Sequence, residues 1–129
     1  FRQDGCGLDR WMWYDAPIAS DVTSGSSATY APVSLVASIP VATPTMVNFY
    51  CAFTPTAADD TLVLVPGTST STLGYATLSG SVAAVVVTGN LICPTDSPVT
   101  DAIDYKVTGS AVAISVSAYL DQLAVSITA

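Results

Sequence analysis

Histidine and glutamate are absent from this chain of 129 residues, and its only basic side chains are Arg2, Arg10 and Lys106. Each shortage excludes something. Without histidine the chain lacks the usual proton-transfer side chain near neutral pH and the commonest metal ligand. With so few lysines and arginines it cannot cluster the cations that displace counterions from nucleic-acid phosphates or hold an anionic membrane surface. This argues against a nucleic-acid partner, and none is expected. Lys and Glu, both strong helix formers, are nearly missing, which argues against helix. No apolar run reaches the roughly 18 residues that a membrane helix needs, so no membrane insertion is expected.

What is present is apolar and β-branched. Hydrophobic residues make up 50% of the chain and charged ones only 10%, with Val, Ala, Ser and Thr dominant. The mean hydropathy of +0.54 is the opposite of a disordered composition. The net charge of -7 comes entirely from aspartate and serves solubility; it disfavours an acidic ligand. A neutral surface, a sugar or another protein stays open. One small core does not readily absorb this much apolar area, so the surplus points to subunit contacts and a homo-oligomer.

Cys6, Cys51 and Cys93 are odd in number and form no CxxC pair, so a zinc site is not indicated. Cys51, within Phe49-Tyr50-Cys51-Ala52-Phe53, reads as a small buried hydrophobe. One disulfide among the three is compatible with the spacing, which does not choose the pair. The start at Phe1 carries no signal-peptide pattern; a processed product or a module of something longer is expected, the second favoured.

The period-2 pattern predicts an all-β chain of about eight to nine strands, arranged as an antiparallel β-sandwich, jelly-roll-like. Residues 1–19 form a lead-in or junction segment and 20–129 the sandwich domain. In the lead-in, residues 8–14 predict a strand with Trp11 and Trp13 on one face and Met12 and Tyr14 on the other. Residues 20–29 read as loop. Further strands are expected over 30–39 (Val33, Leu35, Ala37 and Ile39 on one face), 46–53, 61–65, 75–78 and 103–107. The strand over 112–120 has Val112, Ile114, Val116, Ala118 and Leu120 on one face and Tyr119 on the other. Residues 68–72 are loop or edge, and 123–129 a further strand or a tail. Residues 82–87 read as a strand apolar on both faces, hence buried on both sides, where a protomer leans on another or on its own second sheet. Gly89-Asn90 reads as a tight turn.

Candidate chemistry is sparse. Asp59-Asp60 is the only adjacent carboxylate pair, and its surroundings read as a turn held by local hydrogen bonds. A calcium loop pattern is missing. Serines lack a histidine to activate them, and Lys106 sits in an ordinary solvated strand pattern. Gly5-Cys6-Gly7 does not make a phosphate loop. No catalytic residue, cofactor or metal is expected, and the chain reads as no enzyme. The feature suited to recognition is Arg10, Trp11, Trp13 and Tyr14, flat rings beside hydrogen-bonding groups. They fit a sugar-stacking platform or, more simply, a junction between subunits or domains.

The opening Phe1-Arg2-Gln3-Asp4-Gly5-Cys6-Gly7-Leu8-Asp9-Arg10-Trp11-Met12-Trp13-Tyr14 resembles the lead-in to the distal, C-terminal module of tailed-bacteriophage tail fibres and tailspikes. The Ser/Thr/Ala/Val-rich body is similar in style, with Val47-Asn48-Phe49-Tyr50 and Ile103-Asp104-Tyr105-Lys106-Val107. The resemblance implies a homotrimer of β-sandwich units on a longer shaft, in the virion, bound to other virion proteins and contacting the host surface, including its glycans. It transfers no functional residue. Two other roles suit the same composition, a carbohydrate-binding module of a secreted enzyme and a capsid decoration protein.

Overall fold

Alternation of apolar and small polar residues becomes strand along most of the chain, and among the described residues there is no helix. The computed structural model describes residues 2–4, 9–17, 21–40, 44–67, 76–96 and 101–122. They form β1 (Arg2–Asp4), β2 (Asp9–Trp13), β3 (Val22–Gly25), β4 (Ala31–Val33), β5 (Met46–Thr54), β6 (Asp60–Pro66), β7 (Ala76–Gly80), β8 (Val87–Pro94), β9 (Ile103–Val107) and β10 (Ser110–Gln122).

The pairing is nested: β3 lies against β10, β4 against β9, β5 against β8 and β6 against β7, all antiparallel. One sheet runs β1-β2-β10-β5-β8 with β3 also on β10, and the other runs β4-β9-β6-β7. A long hairpin wrapped over itself in this way is the jelly roll, so the expected antiparallel sandwich is the observed one. Nearly every connection from β3 onward crosses between sheets. The links β3–β4, β5–β6, β7–β8 and β9–β10 therefore gather at one end, and the strand ends facing β4–β5, β6–β7 and β8–β9 lie at the other. The lead-in is joined to the same sheet, since β2 pairs with β10 from Trp13↔Ala118 to Asp9↔Gln122.

Both sheets turn their apolar sides inward. Val47, Phe49, Cys51 and Phe53 of β5 meet Leu62 and Leu64 of β6, Ile103, Tyr105 and Val107 of β9, and Val112, Ile114 and Val116 of β10 in one core. Asp104 and Lys106 take the opposite face of β9, as their alternation predicts.

Four expectations change. The register of β10 slips between Val116 and Ala118, a bulge that turns Tyr119 into the core and sends Ala118 and Leu120 to the outer face. Residues 36–38 form a turn, with Ser38 N–H and Ile39 N–H donating to Leu35 C=O, so Ala37 is exposed while Leu35 and Ile39 are buried. Residues 20–29 contain β3, although Val-Thr-Ser-Gly has no apolar rhythm. Gly89 lies inside β8, opposite Cys51, where a Cβ would come 2.9 Å from Leu78 Cδ1; close approach between sheets, rather than a turn, accounts for that glycine.

The largest correction concerns residues 82–87. Only Val87 belongs to a strand; residues 81–86 are a turn at the sandwich end, fastened by Ala84 N–H to Pro55 C=O at 2.8 Å. Val82, Val85 and Val86 are 57%, 54% and 61% exposed. Ala84 has a φ of 65°, which breaks the extended backbone and turns the run away from both sheets. The expectations for residues 68–72 and 123–129, and for Cys6 and Tyr75, lie outside the described residues.

Candidate functional site

The four residues singled out in the lead-in do not share one surface. Strand alternation in β2 puts Met12 inward opposite Tyr119, with Arg10 on the same side, and Trp11 and Trp13 outward. Arg10 donates from Nε and Nη2 to Asp121 Oδ2, at 3.3 and 3.1 Å, across the strand pair. This half-exposed ion pair fixes register more than it stabilises; such pairs contribute about 0–1 kcal/mol. Tyr14 packs its ring 6.2 Å from that of Tyr119 and donates its hydroxyl proton to Ser38 C=O, while Ser38 Oγ donates to Asp21. Burial, then neighbouring Tyr119 and Asp21, push the Tyr14 phenol upward, so it stays a neutral donor. Tyr14 thus anchors the lead-in.

Trp11 and Trp13 stand side by side, ring centroids 6.4 Å apart and tilted by 41°. The register continues Trp13 into a row across the outer face: Ala118 on β10, Asn48 on β5 and Ile92 on β8. The next row is Ser115, Tyr50 and Asn90, and the next Ala113, Ala52 and Thr88. No residue of these three rows from β2 to β8 is charged, whereas on the other side of β2 the register sets Arg2 and Asp4 of β1 opposite Trp13 and Trp11. Tyr50 and Ile92 are exposed there, and the nearly buried Asn48 Oδ1 accepts no hydrogen bond among the described residues.

The other surface is the end of the sandwich carrying residues 81–86. Ser81, Val82, Ala83, Ala84, Val85 and Val86 are all exposed. Beside them lies the β5–β6 turn. Asp60 Oδ2 accepts from Thr56 N–H, Ala57 N–H and Thr56 Oγ at 2.8, 3.0 and 2.9 Å, and Asp59 takes a φ of 66°. Those backbone donors hold the Asp60 carboxyl below its ordinary range. The expected turn is present; it joins the two sheets and offers no paired-carboxylate geometry.

A carboxylate pair invisible in the sequence forms instead at the opposite end. Asp101, just before β9, interacts with Asp104 within it, and the Oδ1 atom of each is buried with no hydrogen-bond partner among the described residues. Burial first, then the hydrogen bond and charge of Asp101, push the Asp104 carboxyl up to about 6. A three-residue separation across a strand start gives no motif that would have announced it.

Cys51 and Cys93 are buried free thiols. The register sets Cys51 opposite Gly89, so Cys93 is four residues further along the partner strand, about 13 Å at the usual rise and too far for a disulfide. Burial pushes both thiols up to about 12, which keeps them protonated. Among the described residues no three Cys or Asp side chains gather as a metal site. No protein-family model matches the chain, and no curated protein or solved structure matches it either.

Proposed function

We propose that this chain is a non-catalytic structural module that associates with copies of itself in an external virion assembly, as the distal domain of a phage tail fibre or spike. The single observation that carries the reading is the turn at residues 81–86. Three valines more than half exposed stand together at one end of the sandwich, where the opposite end exposes Val36 alone among the described large apolar residues. Monomers rarely leave contiguous apolar surface of this kind, and closed cyclic association covers it. The run from Gly80 to Asn90 itself carries no charge, with Asp59 and Asp60 beside it on the β5–β6 turn. Threefold symmetry and the virion setting rest on the resemblance of the lead-in and of the body. The fold is compatible, since jelly rolls serve capsids and lectins alike; that support is by analogy of fold.

Multi-angle light scattering tests the reading on the Val82→Asp/Val86→Asp variant. Charge at the turn converts the wild-type oligomer into a folded monomer. A variant that keeps the wild-type mass removes this surface from the account.

A second reading has its own observation. The outer face across β10, β5 and β8, free of charge and with Tyr50 and Ile92 exposed beside Trp13, suits a neutral glycan, stacked on rings and hydrogen-bonded to amide and hydroxyl groups. This favours receptor contact by the fibre module, or a carbohydrate-binding module. Glycan-array binding that disappears in Trp11→Ala supports it, and an array without signal removes it.

A further inference from the structure

Among the described strands, β1, β3, β4, β7 and β8 lie at the margins of the two sheets, and all but one of them are blunted. β1, β3 and β4 have three, four and three residues, with Arg2 and Asp4 in β1 and Pro32 in β4, and β7 has five. Short length, charge and proline are the ordinary devices that keep a sheet margin from pairing with a foreign strand. β8 lacks them. It runs for eight residues, pairs only with β5 among the described strands, carries no charge and has its one proline at the last position.

The register fixes which backbone groups that margin leaves unpaired. Thr95 N–H donates to Thr45 C=O at 2.7 Å, one position beyond the pair Met46↔Pro94. Hydrogen-bonded and non-hydrogen-bonded pairs alternate along an antiparallel ladder, so Cys93, Leu91, Gly89 and Val87 bond to β5. Thr88, Asn90 and Ile92 therefore turn their N–H and C=O away from it, and Pro94, which has no N–H, falls on the same side. Their side chains are exposed. Beneath this margin the core is less covered than elsewhere. Val87 and Leu91 of β8 and Leu78 of β7 are only partly buried, whereas Val47, Phe49, Cys51 and Phe53 of the neighbouring β5 are fully buried.

We infer that the margin of β8 pairs antiparallel with β8 of a second copy, about a two-fold axis at Asn90. Unmade N–H and C=O groups in a row call for an extended strand, which a flat apolar surface does not supply. An identical strand meets this one with no like charges opposite each other. The bonds choose the register. Centred on Asn90, Asn90 faces the partner's Asn90 and Thr88 faces the partner's Ile92, so every outward N–H and C=O is used. A centre at Leu91 sets Thr88 against the partner's Pro94, which has no N–H, and a centre at Gly89 sets Ile92 against the partner's Val86, outside the strand. The chosen register brings the exposed Val86 beside the partner's Pro94. The inference thus rests on the self-association proposed above and names the bonds that make it. Being isologous, the contact joins two copies, where the fibre resemblance implies three.

Sedimentation equilibrium and amide hydrogen exchange test it on the wild type, Asn90→Lys and Asn90→Pro. Lysine sets two cations opposite each other across the axis. Proline removes only an N–H that faces away from β5, so the ladder within each copy is kept, and this variant serves if the first does not fold. The wild type is expected at twice the 13.2 kDa chain mass, with the Thr88, Asn90 and Ile92 amides protected from exchange. In either variant the mass halves and the protection of Thr88 and Ile92 is lost. A trimeric wild type, variants that keep the wild-type mass, or an oligomer whose three amides exchange freely overturns the β8 contact and leaves association through residues 81–86 standing. A folded monomeric wild type overturns both readings, and protected amides in that monomer mean that a segment of the same chain covers the margin.

Discussion

Asp60 illustrates how a lone exposed aspartate is used in this chain. Its carboxylate collects two backbone N–H groups and a hydroxyl from Thr56 and Ala57, and so closes the turn that carries β5 of one sheet into β6 of the other. Because the backbone donors of Ala57 and Thr56 depress its folded value, the stabilising contribution is present above the unfolded value of about 3.9 and lost as pH falls through the folded one. Asp60→Asn is expected to flatten the acid limb of the stability profile, measured as unfolding midpoints from pH 2 to 5. Ala84 is the converse case, a residue working against its own geometry. At φ 65° its Cβ is crowded by backbone, a cost of roughly 1 kcal/mol that glycine avoids. Ala84→Gly is expected to stabilise the fold by up to about 1 kcal/mol in urea unfolding, and a loss of stability would contradict the left-handed turn. Thr95 bridges strand ends with its hydroxyl, accepting from Thr45 N–H and donating to Thr45 C=O, both at 2.9 Å and buried. Thr95→Val orphans that N–H and should cost about 1–3 kcal/mol by the same measurement.

At the scale of elements, legibility tracks the regularity of the side-chain period. β5 and β9 could be read directly because Val47, Phe49, Cys51 and Phe53, and then Ile103, Tyr105 and Val107, alternate without interruption and all face the core. β10 was legible in extent and misread in phase, since the bulge after Val116 changes which residues point inward without leaving a sequence signal. β3 was unreadable for another reason. It is short and polar, and exists because β10 offers it a free edge beyond the point where β2 stops pairing. Residues 82–86 have the composition of a buried strand, and what excludes them from either sheet is the turn at Ala84, a backbone fact. The candidate surfaces follow the same division. That Trp11 and Trp13 stand together was foreseeable from alternation; that Arg10 and Tyr14 are occupied by Asp121 and Ser38 depended on residues distant in sequence. The Asp101–Asp104 interaction needed the fold, because the backbone around Asp101 is fixed by Val33 and Gly67, residues distant in sequence.

At the scale of the molecule, shortage of charge and excess of apolar area come together in an arrangement that closes a jelly-roll core and still leaves Val82, Val85 and Val86 at one end. The opposite end carries the buried hydrogen bonds of Thr45, Thr95 and Ala102 and exposes Val36. The proposed self-association uses the end with the three valines. The account stands or falls on association. Sedimentation equilibrium of the purified wild-type domain at micromolar concentration tests it most directly. A homo-oligomer is predicted, at three times the 13.2 kDa chain mass if the fibre resemblance holds. A well-folded monomer at 13.2 kDa would contradict the central claim.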